Sequence, residues 1–198
     1  MAVLRIQDLQ RPGLGPISFT VAAGQCLCLS GPSGAGKTLL LRAIADLDPN
    51  EGEVWLDQTP CSAMPAPRWR RQVGLLPAES HWWHDTVGPH FLPADGVPFE
   101  ALGFGPEVLD WEIRRLSTGE RQRLALLRLL SRAPRALLLD EPTASLDREN
   151  VKRTEALVAD YRRRHQAPVI WVSHDPRQIQ RVGDRHLRVE RGRLVEAP

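Results

Sequence analysis

The sequence predicts an α/β fold of three layers built on a largely parallel sheet. Three stretches predict it. Gln25-Cys-Leu-Cys-Leu-Ser30 is a short apolar run, followed by a glycine-rich turn and by Leu39-Leu-Leu-Arg-Ala-Ile-Ala45, which reads as a buried helix. Arg135-Ala-Leu-Leu-Leu-Asp140 is a second apolar run and ends in acid. A helical stretch from about Arg148 to His165 leads into a third, Val169-Ile-Trp-Val172. Continuous apolar strands that alternate with helices are buried on both faces, as parallel strands are.

The remaining elements follow in order. Val3-Leu-Arg-Ile6 and Ile17-Ser-Phe-Thr-Val21 read as strands, with Gly13, Gly15, Pro16 and Gly24 as punctuation. Asp48-Pro-Asn-Glu-Gly52 is a turn, Glu53-Val-Trp-Leu56 and Val73-Gly-Leu-Leu76 are strands, and Pro60 to Pro67 reads as a loop. From about Ala78 to Arg115 the composition changes: four prolines alternate with Trp82, Trp83, Phe91, Phe99, Phe104 and Trp111. That segment predicts a small, separately packed subdomain of short helices. Ser117 with Glu120 three residues later is a capping box, and Leu124, Leu127 and Leu130 give the helix that follows an apolar face. Val151, Leu157, Val158 and Tyr161 should point inward from the helix near 148–165, and His186 to Val195 should form a terminal hairpin.

At 198 residues the chain suits one domain with a sizeable core. A net charge of +2 makes no case for nucleic acid or an anionic membrane as the main partner. The arginines at 68, 70 and 71 and at 162 to 164 read as solvated faces. Cys26 and Cys28 share one strand face and read as buried thiols in a reducing compartment. No apolar run reaches the length of a membrane span, and no signal peptide precedes Val3, so a cytoplasmic chain is expected.

Gly31-Pro-Ser-Gly-Ala-Gly-Lys-Thr38 fits G-x-x-x-x-G-K-[ST], the phosphate-binding loop of nucleotide triphosphatases, and it lies between a strand and a helix as that motif requires. Glycines let backbone N–H groups face phosphate oxygens, and the helix start adds a positive dipole end. Lys37 would reach the β- and γ-phosphates, and the Thr38 hydroxyl would hold Mg²⁺. Of 26 basic side chains only Lys37 and Lys152 are lysines, so lysine stands where a compact ammonium is needed. Asp140 is placed to bind Mg²⁺ through water, and Glu141 to polarise an attacking water. His174 lies past the end of a strand, where open α/β sheets bind ligands.

With Leu116-Ser-Thr-Gly-Glu120, Ser145-Leu-Asp147 and His174 in that order, the chain resembles the ABC-type ATPases, the nucleotide-binding subunits of ABC transporters, over nearly its whole length. The signature LSGGQ is met with Gly-to-Thr and Gln-to-Glu changes. The resemblance implies a P-loop NTPase (RecA-like) core with an N-terminal antiparallel β subdomain and a shortened α-helical subdomain at about 78–115, all within one domain spanning 1–198. It implies ATP and Mg²⁺ as cofactors: Gly31, Pro32, Ser33, Gly34, Ala35, Gly36, Lys37 and Thr38 would cradle the phosphates, and Thr38 and Asp140 would hold the metal. Glu141, His174 and Lys37 would be catalytic. It further implies a homodimer on ATP binding, with Ser117, Gly119 and Asp147 completing the partner copy's site. A separate transmembrane permease would hold the chain on the inner face of the membrane.

Three departures from the family pattern stand out. Ala78, followed by Glu79, occupies the place of the glutamine that contacts Mg²⁺. Residues 8–16 contain no aromatic to stack on adenine, for which Arg11 is a substitute. The helical subdomain is short. Within the family, the compact form and Trp82-Trp83-His-Asp-Thr-Val87 look most like small bacterial ATPases of metal-homeostasis exporters. Trp82 and Trp83 are candidates to dock the membrane partner, against the alternative that they pack inside the subdomain. Two other functions are weighed: a soluble ABC-type ATPase of DNA repair or ribosomes, and a nucleotide-sensing regulator with little turnover.

Overall fold

The computed structural model describes residues 2–91 and 93–196, so that Met1, Leu92 and residues 197–198 of the expected 1–198 span lie outside the described residues. Strands Leu4–Arg11 (β1) and Leu14–Val21 (β2) open the chain as an antiparallel hairpin. In β1 the side chains of Leu4 and Ile6 point inward and those of Arg5 and Gln7 outward. At Asp8, where φ is +49°, the pairing register shifts, so Leu9 rather than Asp8 is buried. Cys26–Ser30 (β3) leads into the helix Lys37–Ile44 (α1), and Glu51–Leu56 (β4) and Thr59–Pro60 (β5) then complete a four-stranded antiparallel sheet in the order β2-β1-β4-β5. The later strands are Val73–Leu76 (β6), Ala136–Asp140 (β7), Val169–Val172 (β8), Arg185–Glu190 (β9) and Arg193–Glu196 (β10). They form a second sheet, β10-β9-β3-β8-β7-β6, parallel except for the terminal β9–β10 hairpin.

Both faces of this second sheet are covered. Leu27, Leu29, Leu138, Ile170 and Val172 face a core shared with α1 and the antiparallel sheet. The alternate residues Cys26, Cys28, Leu137, Leu139, Val169 and Trp171 face a second core beneath the helix Thr118–Leu130 (α3). The two cysteine side chains are buried there as expected. The helix Arg148–His165 (α4) buries Thr154, Val158 and Tyr161, while Val151 and Leu157 are only half-buried and Lys152 is exposed.

Two short helices lie where the sequence suggested none. Ala66–Gln72 (α2) occupies the end of the expected loop and the arginine cluster. Its one fully buried side chain is Trp69, whose indole N–H donates to the carbonyl of Ile44 at 2.9 Å and pins α2 beneath the end of α1. Pro176–Val182 (α5) starts with Asp175 as its N-cap.

The aromatic segment also differs from expectation. Its helical turns, Gly88–His90, Phe99–Leu102, Pro106–Asp110 and Ile113–Arg115, are all 3₁₀. Proline and glycine at their starts and ends prevent longer helices. Nor is it packed separately: Val87, Phe91, Leu102, Phe104 and Val108 join the same core as α3 and the sheet. Among the described residues no helix is long and apolar enough to cross a membrane.

His90 organises the tryptophan turn. It is 6% exposed. Its Nε2 accepts from the backbone N–H groups of Trp83 (3.1 Å) and His84 (3.2 Å), and its Nδ1 donates toward Thr86 and Val87 carbonyls. Protonation would set a third donor against two donors. Burial lowers the His90 pKa, and the nearby Arg128 charge lowers it further, with His84 adding to the effect. A folded value below the ordinary 6.5 or so means that the unfolded chain binds the proton first. Stability is therefore full above about pH 6.5 and declines as the pH falls toward the folded value. The urea midpoint should drop more between pH 7.5 and 5.5 in the native protein than in His90→Gln. Trp69→Ala should cost about 3–5 kcal/mol in the same assay, as emptying a large buried site does.

Candidate active site

Strand register assembles the site. Leu29 pairs with Val172, and Val172 pairs with Asp140, so the C-terminal ends of β3, β8 and β7 lie in one row. The residues just past those ends are Gly31, Ser173 with His174, and Glu141. Residues far apart in sequence thus meet at the carboxyl edge of a parallel sheet.

The loop Gly31–Thr38 wraps the start of α1. Gly31 has φ +140°, and a Cβ there would lie 2.2 Å from the Val189 carbonyl oxygen, so only glycine can pass β9 at this point. Gly34 (φ +74°) and Gly36 (φ +106°) are also left-handed. Gly36 is the N-cap of α1, without a side-chain cap and with no acid in the first turn. By contrast, Ser117, Asp147 and Asp175 cap α3, α4 and α5. The first N–H groups of α1 therefore keep their donors and their positive dipole end for an anion.

Lys37 is 6% exposed. Its Nζ donates to the carbonyls of Gly31 (2.8 Å) and Pro32 (2.9 Å), which folds the side chain over the loop. Burial lowers its pKa, and the charges of Glu141 and Asp140 partly oppose that. Asp140 is buried, and its Oδ2 accepts from the Thr38 hydroxyl at 2.8 Å. Burial raises its pKa, and the Thr38 bond works against the rise. A hydroxyl and a carboxylate are hard oxygen donors, and two of them suit Mg²⁺, which keeps several waters.

Glu141 has φ +49°, a left-handed backbone for a side-chain-bearing residue. Such conformations cost on the order of 1–3 kcal/mol and persist where the surroundings enforce them. Its Oε1 lies 2.7 Å from Nε2 of His174, both partly exposed. The Nε2–H donating to the carboxylate fixes the rotamer of each.

Ser117, Gly119 and Asp147 occupy a different surface. The Ser117 hydroxyl accepts from the Glu120 N–H at 3.2 Å, and the Glu120 carboxylate accepts from the Ser117 N–H at 2.8 Å. Gly119 packs on the Ser145–Leu146 turn, where a Cβ would lie 3.0 Å from the Ser145 carbonyl oxygen. Asp147 caps α4 by accepting from the Asn150 N–H at 2.9 Å. Among the described residues no hydrogen bond or ion pair joins these three to the phosphate loop.

Arg11 is held at one edge by an ion pair. Its Nη1 donates to Asp48 at 2.6 Å, and Asp48 also accepts from Arg42 at 2.7 and 2.8 Å. Arg42 first, and Arg11 with it, hold the Asp48 carboxyl far below the usual carboxylate range. Ala78 and Glu79 are both exposed. Their loop is held by buried Gln122, which donates to the Pro77 carbonyl (3.1 Å) and accepts from the Ser80 hydroxyl (2.9 Å). Sequence reasoning missed Gln122, and also Gln178, a buried glutamine on α5 beside Thr143. The only signal for either was a polar residue in register with apolar neighbours on a helix.

A sequence model of the ABC transporter family matches residues 14–144. The phosphate import ATP-binding protein PstB of Aeropyrum pernix is 32% identical over 91% of this chain and 81% of its own length. The probable iron export ATP-binding protein FetA of Escherichia coli is 32% identical over 84% of this chain and 80% of its own. Among solved structures, a bacterial Atm1-family ABC exporter with ATP bound superimposes with a TM-score of 0.82 at 26% identity, over 98% of this chain and 38% of that one. One import protein and one export protein are thus matched at the same identity, 32%. The loop at Gly31–Thr38, the acids ending β7 and the family match agree: the chain belongs to the ABC transporter family, as an ATP-binding subunit and transport ATPase.

Proposed function

We propose that this subunit hydrolyses ATP at a site formed by two copies of the chain and so drives a separate transmembrane permease, to which it is bound on the cytoplasmic face of the membrane. The observation that carries the reading is the row of strand ends that sets the Thr38–Asp140 pair beside the Glu141–His174 pair. Residues Gly31 to Thr38 bind the phosphates through backbone N–H groups, and Lys37 exchanges its carbonyl partners for phosphate oxygens. Thr38 and Asp140 would hold Mg²⁺, which would supply charge neutralisation at the phosphate oxygens. Glu141 takes the proton of the attacking water, and His174 keeps the carboxylate aimed. Ser117, Gly119 and Asp147 serve the partner copy's nucleotide: among the described residues no hydrogen bond or ion pair joins them to their own loop.

Glu141→Gln should keep ATP affinity and lose at least about 10²-fold in turnover, as removal of a general base does. With Mg-ATP that variant should be dimeric by light scattering and without it monomeric. Near-native turnover would sink the base assignment, and a nucleotide-loaded monomer would sink the shared site.

A groove of about 380 Å³ supports the permease reading. Leu47, Trp83, Arg42, Arg70, Arg128 and Arg132 line it, and among the described residues no acid does. Trp83 is 60% exposed and Leu47 39%, so two large apolar side chains face one groove. The Arg128 guanidinium lies 4.3 Å from the Trp82 ring and 4.7 Å from the Trp83 ring. Burial pushes its pKa down to about 10, and its Nη1 is buried without a partner. A permease segment with one apolar side chain and a carboxylate fits Leu47 and Trp83 together with the exposed Arg70 and Arg132. The two tryptophans divide the work: half-buried Trp82 packs against the core, and Trp83 is the anchor. Trp83→Ala should weaken permease binding by more than about 2 kcal/mol while ATP affinity and fold persist. Binding that survives in Trp83→Ala and is lost only on unfolding would remove the groove from the interface.

A further inference from the structure

Gln178 is 4% exposed and lies on α5, four residues beyond His174. Its carboxamide meets three groups from three elements. Trp171 Nε1 on β8 lies 3.3 Å from Oε1. The Glu155 carboxylate on α4 lies 2.8 Å from Nε2. The Thr143 hydroxyl lies 3.0 Å from Nε2 and 3.2 Å from Oε1. An indole N–H only donates and a carboxylate only accepts, so one amide orientation satisfies both, and the hydroxyl fits beside it. Glu155 is in turn held by Arg181 at 2.8 Å.

The placement matters because of what the network joins. Thr143 lies two residues past Glu141, in a turn closed by the Ala144 N–H on the Glu141 carbonyl (3.2 Å) and the Leu146 N–H on the Thr143 carbonyl (3.2 Å). Asp175, next to His174, caps α5 by accepting from the Arg177 N–H at 2.9 Å. Gln178 therefore ties the loop that carries Glu141 to α5, the helix that begins just after His174. We propose that Gln178 is a positioning residue for hydrolysis, a strut that sets the spacing of Glu141 and His174. The proposal rests on Glu141 acting as the base. Without the strut the two loops part, ATP still binds, and the carboxylate loses its aim.

The test uses the full chain with Mg-ATP. Gln178→Leu should lower kcat by roughly ten- to a hundredfold, the size of a misplacement of up to about 1 Å, with KM for ATP nearly unchanged. Thr143→Val, at a half-buried position, should do the same if Gln178→Leu fails to fold. Introduced into Glu141→Gln, Gln178→Leu should add no further loss, because there is no base left to aim. Gln178→Glu places a second carboxylate against Glu155 and should be impaired, and Glu155→Gln on top of it restores the donor–acceptor pattern and should recover turnover. Native kcat in folded Gln178→Leu or Thr143→Val, or additive losses with Glu141→Gln, overturns the strut alone. Near-native turnover in Glu141→Gln by itself overturns the base and the strut together.

Discussion

Everything in the site depends on the parallel register of β3, β8 and β7. Each strand is buried on both faces, so its alternate side chains are committed to two different cores, Leu27 and Leu29 to one and Cys26 and Cys28 to the other. A slip of one residue would exchange every side chain between those cores. The same register sets where the strands stop. The phosphate loop, the acids after β7 and the histidine after β8 are neighbours because their strands cannot move past one another.

Against that rigid edge the site tolerates local costs. The N-terminus of α1 goes without a side-chain cap, Lys37 is desolvated, and Glu141 holds a left-handed backbone. Each would weaken an isolated segment. All three follow the end of a buried strand, β3 or β7, whose position is set by packing on both faces. The surface that carries Ser117, Gly119 and Asp147 is built differently. There the helix starts are capped and Gly119 rests on the Ser145–Leu146 turn, so the backbone groups of that surface are satisfied locally.

Much of this was legible in the sequence. The strands β3, β7 and β8 are plain apolar runs, and the capping box at Ser117 and Glu120 can be read from two letters. What escaped has a common cause, which is dependence on distant partners. The helix α2 buries one large side chain, Trp69, so it has no periodicity to detect. Arg11 is claimed by Asp48, 37 positions away. Gln178 and Gln122 look like any surface glutamine until the fold places an acceptor and a donor on either side. The aromatic segment suggested a body of its own, but its apolar side chains fill the space under α3.

The burial of Lys37 also gives the chain a simple chemical character. Of its two lysines, one is exposed on α4 and the other is enclosed by the loop it serves. Burial lowers the Lys37 pKa from the ordinary lysine value, so enclosure rather than charge shields it from an acylating reagent. The described structure thus presents a single accessible lysine amine, Lys152, for attaching a dye, a crosslinker or a surface without touching the phosphate loop.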